Sequence, residues 1–443
     1  MKLVVIGCTH SGTAAIKKSK ELYSDIDITV YEKNDNISFL SCGIALYIEK
    51  TVEDPQGLFY SSPDELKSMG VNTKMLHEIL NVDFDKKVLK VKNLKTNEIF
   101  EDSYDKLLIS TGSWPIIPDI EGIDSKNILL SKNFNHSNEI INKSKNSENI
   151  TVIGAGYIGV ELAEAFEKLG KKVTLIDTQK RILNKYLDEE ITDIAEESMI
   201  NKGINLRLDE TVMKFEEDDK GSVKKVITDK NSYDSDMVIL CIGFKPNTNL
   251  FKNKLKMMEN GAIIVDEYMH TNVKDVYAAG DACAVKYNPT NTYEYIPLAT
   301  NAVRMGTLVA FNLFEDKIIY KGTQGTSGIK IYDNKIASTG LNESMAKIKG
   351  IDIETTIIKE NNRPEFMPTY SKLLLKLIYD KKSKIILGAQ IISKEDLTQS
   401  INTISVFIQN KMKVDDLAFI DFFFQPNFNK PWNFLNSAGL NSI

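Results

Sequence analysis

VVIGCTHSG (Val4–Gly12) and TVIGAGYIG (Thr151–Gly159) each set a glycine turn directly after a run of branched apolar residues. This is the pattern of a strand entering a helix beneath a dinucleotide pyrophosphate. The first glycine permits the bend, the second lets backbone approach the phosphates, and the third lets helix pack on strand. The helix start then offers free N–H groups and a positive dipole end to the phosphates. The second turn carries all three glycines, Gly154, Gly156 and Gly159, with Tyr157 and Ile158 opening its helix. The first has Gly7 and Gly12, with Thr9 in the middle position. About twenty residues beyond each turn, an acid ends the next strand, placed to accept hydrogen bonds from ribose hydroxyls. These acids are Glu32, with Lys33 beside it, and Asp177. Two such turns imply two nucleotide cofactors in two similar domains, an arrangement for passing electrons between them. Cys42, in SFLSCG, becomes the candidate redox partner of that pair.

Outward from the first turn, residues 2–6 read as a strand, 12–23 as a helix and 28–31 as a second strand. Alternating apolar and charged residues over 82–104 predict an antiparallel excursion, ending in the strand KLLISTG at Thr111 and Gly112. SWPIIP (113–118) carries two prolines and predicts a break in regular structure at a domain crossover. The second half repeats this outline: a βαβ unit through KVTLID, an antiparallel stretch over 218–236, and MVILCIGFKPN as the counterpart of KLLISTG. A strand-rich piece ends at Asp281, and a helix runs over 298–314, opening with Leu298 and Ala299. From about residue 322 the character changes to long apolar strands, a helix over 395–412 and the aromatic end FIDFFFQPNFNKPWNFLN. That end serves equally as hydrophobic core or as subunit interface.

The 443 residues are too many for one compact core. Lys plus Arg is 55 against 61 for Asp plus Glu, a net charge of −6, which leaves no electrostatic footprint for nucleic acid or an anionic membrane. No apolar run is long enough to span a bilayer, and MKLVVIG reads as a buried strand rather than a signal peptide. The four cysteines, Cys8, Cys42, Cys241 and Cys283, form no CxxC pair, so neither a disulfide framework nor a zinc knuckle is expected. A reducing cytoplasm is the expected location. Cys8, Cys241 and Cys283 read as packing residues. His77, His136 and His270 read as surface or turn residues, with no metal set around them.

GCTHSG, SFLSCGIALYI, STG, GAGYIGVELAEAF, CIGFKPNT and VYAAGDA together resemble the flavoprotein NADH oxidases. These are kin of NADH peroxidase and coenzyme A disulfide reductase within the pyridine nucleotide–disulfide oxidoreductases, and the resemblance runs over essentially the whole chain. It implies an α/β fold with two Rossmann-like domains, for FAD (1–115 and 245–321) and NADH (116–244), and an α+β dimerisation domain (322–443). By the same resemblance Gly7, Thr9, Gly12, Glu32 and Lys33 hold the ADP half of FAD. Thr111, Gly112, Asp281, Leu298 and Ala299 reach its other parts, and a helix dipole at Leu298 favours negative charge on the reduced ring. Gly154, Gly156, Tyr157, Ile158, Gly159, Asp177 and Gly243 receive NADH, with Tyr157 over the flavin face. Asp177 favours NADH over NADPH because a carboxylate repels a 2′-phosphate, with Lys180 and Arg181 near enough to compensate.

The disulfide branch of that superfamily uses CxxxxC, but positions 37 and 47 here are Ile and Tyr. A single cysteine beside a flavin cycles between thiolate and sulfenic acid, or forms a mixed disulfide with an external thiol. The resemblance brings His10 to Cys42 as acid–base partner. It implies that electrons from two NADH reduce O₂ to water, with peroxide as the intermediate that Cys42 attacks. NADH peroxidase is a near alternative, and coenzyme A disulfide reductase, with coenzyme A as ligand, is another. The latter tends to carry tyrosines where Phe424 and Phe428 stand here. An FAD- and NADH-binding redox sensor is the alternative of another class. A homodimer is expected throughout.

Overall fold

The computed structural model describes residues 1–443. Its first sheet is wholly parallel, ordered Val276–Ala278, Lys106–Ile109, Lys2–Ile6, Asp27–Glu32, Val71–Met75. Leu3, Val4 and Val5 are fully buried in its centre, as expected where helices cover both faces of a parallel sheet. The second sheet repeats the order with Asn205–Leu208, Lys172–Asp177, Asn149–Ile153, Met237–Leu240 and Ile128–Leu130. The edge strands differ in origin. Ile128–Leu130 precedes its own glycine turn, whereas Val276–Ala278 returns to the first sheet only after the chain has built the second.

Each predicted antiparallel excursion is a three-stranded meander, His77–Asp83, Val88–Asn93 and Ile99–Ser103 in one case, Val212–Glu217, Val223–Thr228 and Ser232–Asp234 in the other. The crossover corrects one expectation. SWPIIP does not break regular structure at its start: Ser113–Pro115 pairs antiparallel with Phe244–Pro246. In a two-stranded ribbon each strand is an edge, so the missing N–H of Pro115 or Pro246 leaves no ladder unsatisfied. The chain therefore enters and leaves its second sheet on paired strands.

The C-terminal part is an antiparallel sheet ordered Ser327–Ile331, Asn334–Gly340, Ile386–Ser393, Lys372–Asp380, Ile353–Asn361. The helix expected over 395–412 is shorter, Ser400–Gln409. Ahead of it the Asp396 carboxylate accepts from both the N–H and the hydroxyl of Thr398, and this local side-chain turn competes with the helix. Of the aromatic end, Phe434 packs inside, while Phe419, Phe423 and Phe428 are about two-thirds exposed on the single chain.

Two junctions position the site. Phe39, Ile44, Ile48 and Leu58, which flank Cys42, are buried in the core of the second sheet's domain together with Ile336, Leu374 and Ile392 of the C-terminal sheet. The side chain of Lys376, 1% exposed, bridges Glu190 at 2.8 Å, Glu343 at 2.9 Å and Asp188 at 3.3 Å. This cluster fastens the C-terminal sheet to the Glu189–Asn201 helix.

Candidate active site

In both glycine turns the backbone leaves no room for a side chain where the fold closes and open space where a ligand enters. A Cβ on Gly7 (φ +92°) would lie 2.4 Å from the Ser110 carbonyl oxygen, and one on Gly12 would lie 2.1 Å from that of Gly7. Gly154 (φ +104°) and Gly159 repeat this, at 2.4 Å from the Cys241 oxygen and 1.8 Å from the Gly154 oxygen. Gly156, Gly112 and Gly57 meet nothing within 4 Å, and Gly243 meets only the Ile116 side chain at 3.7 Å. The helices that follow, His10–Leu22, Tyr157–Lys168 and Ala299–Phe311, begin at Thr9, Gly156 and Leu298 without a side-chain cap. Their first N–H groups, including those near Ile158 and Ala299, stay available to an anion.

The two acids behave alike. Glu32 accepts from the backbone N–H of Cys8 at 2.8 Å and of Asn34 at 2.9 Å. Asp177 accepts from those of Ala155 at 2.5 Å and Gln179 at 2.7 Å. Each carboxylate thus ties its glycine turn to the end of the next strand and keeps lone pairs for a ribose. Burial raises the Glu32 pKa, against these hydrogen bonds. Lys33 reaches outward to Glu78 at 2.7 Å. Arg181 is held by Asp193, Glu189 at 2.5 Å and Glu196 at 3.1 Å, so it is committed away from Asp177.

Between the turns lies the thiol. Cys42, on the short turn Ser41–Gly43, is the one exposed cysteine, and no disulfide forms. Cys8 and Cys283 are buried, and burial pushes the Cys241 thiol up to about 12, so the three packing cysteines are inert as expected. Although Cys42 opens to the cleft, the protein around it displaces enough water to raise its pKa. The Glu161 and Asp281 carboxylates add to this, and Lys132 and the residue's own N–H oppose it.

His10 donates or accepts through Nδ1 with the Tyr60 hydroxyl at 3.0 Å, and the two rings stack with centroids 5.8 Å apart. Tyr60 spends its own proton on the Thr9 carbonyl at 3.1 Å. Its oxygen is therefore left to accept, which puts the neutral imidazole proton on Nδ1 and the basic lone pair on Nε2. Burial lowers the His10 pKa, with Asp281 raising it and Lys132 lowering it. Cys42 and His10 thus lie in the field of the same two charges.

Those charges form a seat. Ser113 donates to Asp281 at 2.8 Å, Lys132 donates to Ser113 at 2.9 Å, and Lys132 lies 3.6 Å from Asp281. The Thr111 hydroxyl nearby in sequence is buried without a partner. Tyr157 is anchored rather than loose: its hydroxyl bonds Ser327 at 2.8 Å and its ring packs on Tyr186 at 4.5 Å. Glu161, one turn further along the same helix, has its carboxyl raised to about 7 by burial and by Glu164.

Lys132, Tyr60 and Glu161 are site residues that sequence reasoning missed. Glu161 stands in GAGYIGVE, two residues past the last glycine, and was legible there as an acid on the cofactor helix. Lys132 and Tyr60 lie in no motif. The remaining histidines need correcting, since all three are half-buried rather than superficial. His77 Nδ1 meets the Met75 carbonyl at 2.7 Å, His136 packs edge-on to Trp114, and His270 sits between Asp266 at 3.1 Å and Asp316 at 3.3 Å. His77 opens the strand His77–Asp83, and His136 lies in the helix Phe134–Ser144. No group of three or more His, Cys, Asp or Glu side chains could hold a metal, and no helix is long and apolar enough to cross a membrane.

Paired glycine turns, paired acids and one exposed thiol between them define a two-nucleotide redox protein. The family model for pyridine nucleotide-disulphide oxidoreductases matches residues 1–306, and that for their dimerisation domain matches residues 326–433. The chain belongs to the pyridine nucleotide-disulphide oxidoreductases. It is 53% identical to an NADH oxidase of Enterococcus faecalis over 436 residues, covering 98% of each chain. Among solved structures it resembles a water-forming NADH oxidase from Lactobacillus brevis bound to NADH, with a TM-score of 0.97 and 50% identity over 99% of this chain and 97% of that one. An engineered NADPH oxidase made from that protein, bound to NADPH, gives a TM-score of 0.98, also at 50% identity, over 99% and 98% of the two chains. The exposed part of the aromatic end, Phe419, Phe423 and Phe428, lies within the residues that the dimerisation-domain model matches.

Proposed function

We propose that this chain is an FAD-dependent NADH oxidase that reduces O₂ to water with the electrons of two NADH, through a thiolate and sulfenic acid cycle at Cys42. The observation that carries this reading is Cys42 itself, a lone exposed thiol between two dinucleotide turns with no second cysteine to pair with. The turn of Gly7, Thr9 and Gly12, with Glu32 and Lys33, would hold the ADP half of FAD, and Thr111, Gly112, Asp281, Leu298 and Ala299 its remainder. The fit rests on the open space at Gly112, the unpartnered Thr111 hydroxyl and the uncapped helix at Leu298. Bound there, FAD would carry electrons from NADH to O₂. NADH would lie on Gly154, Gly156, Ile158 and Gly159, with Asp177 on its ribose and Gly243 and Tyr157 toward the nicotinamide. To admit that ring, Tyr157 would give up its bond to Ser327.

The protein's own residues then deal with peroxide. The Cys42 thiolate attacks one peroxide oxygen, the O–O bond breaks, and Cys42 becomes sulfenic acid as hydroxide leaves. His10 protonates that hydroxide to water. A hydride equivalent from the second NADH returns the sulfenic acid to thiolate and releases the second water.

The engineered NADPH-using relative carries changes of a glycine and an aspartate to alanine, the residue types of Gly159 and Asp177. That supports Asp177 as the group that prefers NADH, with Arg181 committed elsewhere. Coenzyme A on Cys42 as a mixed disulfide is a second reading, favoured by the same exposed lone thiol. A reducing cytoplasm suits a protein whose four cysteines are all free.

The test is the oxygen taken up per NADH by the purified yellow protein, with and without catalase. Half an O₂ per NADH, unchanged by catalase, is expected. One O₂ per NADH, with oxygen returned by catalase, contradicts water formation, and negligible uptake transfers the case to a peroxide or coenzyme A disulfide acceptor.

A further inference from the structure

We propose that Lys132 is a positioning cation for Cys42, held on Ser113 and Asp281 so that its charge favours the thiolate over the thiol. The inference rests on the reading of Cys42 as the redox thiol. It goes beyond that reading because a general requirement of thiolate chemistry, a nearby cation, is assigned to a residue outside every motif.

Lys132 follows the edge strand Ile128–Leu130 of the second sheet, yet its ammonium is spent on the first domain's side of the cleft. It donates to Ser113 at 2.9 Å, sits 3.6 Å from the Asp281 carboxylate, and covers the Phe244 ring at 4.7 Å. Ser113 and Phe244 lie on the paired crossover strands, so the seat is built where the chain passes between domains.

A second contact fixes the distance to the thiol segment. Phe134, two residues beyond Lys132, packs on Phe39 with centroids 5.7 Å apart and on Phe59 at 5.2 Å, and Phe39 meets Phe59 at 5.3 Å. Phe39 is three residues before Cys42, and Phe59 adjoins Tyr60, the partner of His10. This triangle of rings ties the segment that follows Lys132 to the segments that carry Cys42 and Tyr60. The Lys132 charge favours the thiolate, while Glu161 and Asp281 both oppose its ionisation.

Thiol reactivity tests this without reliance on turnover. Reduced, FAD-containing holoenzyme is treated with iodoacetamide across roughly pH 5 to 10, and alkylation of the Cys42 peptide is followed by mass spectrometry. The other three cysteines, buried or strongly raised, serve as internal controls. Lys132→Met is expected to slow Cys42 alkylation about tenfold at neutral pH and to move its midpoint up by about one pH unit. Lys132→Arg is expected to restore the wild-type profile. Should Lys132→Met fail to accumulate as folded yellow protein, Lys132→Gln carries the same test, since it keeps a donor for Ser113. An unchanged profile in the neutral variants overturns the proposal, as does an equal loss in Lys132→Arg, which would mark a role of shape alone. Failure of the oxidase reading would appear separately, in the oxygen balance of the wild type.

Discussion

Around Cys42 the decisive effects are those of single charges. Glu161 is the counterweight to Lys132: after burial, its carboxylate is the strongest influence raising the thiol. Because burial and Glu164 raise the Glu161 carboxyl to about 7, its influence fades as pH falls below that value and grows above it. Glu161→Gln should therefore leave Cys42 alkylation unchanged in mildly acidic buffer and accelerate it severalfold above neutrality. Equal acceleration at acid and alkaline pH would show that Glu161 acts on the thiol by something other than its charge. The Glu161 carboxyl is raised first by burial and then by Glu164 on the same helix, which pairs with Lys168 at 2.7 Å. His10 is set in a similar way, since the Tyr60 hydroxyl has already given its proton to Thr9 and can only accept.

The helices and turns explain how much of this could be read from the chain. A glycine turn followed by a helix and an acid-terminated strand is local, and the short range of its physics makes it legible. Gly7, Gly12, Glu32 and their counterparts Gly154, Gly159 and Asp177 proved to share one hydrogen-bond pattern. What escaped reading arises from approach between distant segments. Lys132 and Tyr60 lie on segments brought together by the packing of Phe39, Phe59 and Phe134, and aromatic side chains at those spacings look like ordinary core. The strand at Ser113–Pro115 was hidden because its partner lies more than a hundred residues away, at Phe244–Pro246. A further long-range approach has a measurable consequence. The helices His10–Leu22 and Ala299–Phe311 touch so closely that a Cβ on Gly306 would lie 2.1 Å from the Ser11 carbonyl oxygen. Gly306→Ala should force them apart at about 1–3 kcal/mol, lowering the melting temperature and the FAD retained through gel filtration. Full flavin content with an unchanged melting temperature would show that the contact yields without strain.

Across the whole molecule, electron transfer is organised by threading one Rossmann-like domain into another and closing both against a third. The Lys376 cluster and the shared apolar core bind the second domain to the C-terminal sheet, and the segment carrying Cys42 docks on that same core. The thiol thus sits where the two nucleotide domains face each other, one cysteine with no partner. Its place in the reaction is read from the product balance of Cys42→Ser, measured as O₂ consumed per NADH together with released peroxide. On the proposed cycle, removing the thiol that cleaves the O–O bond should raise uptake from half an O₂ to one per NADH, with a matching yield of hydrogen peroxide. Uptake that stays at half an O₂ per NADH, with no peroxide released, would show that water forms without Cys42 and would contradict the thiolate cycle.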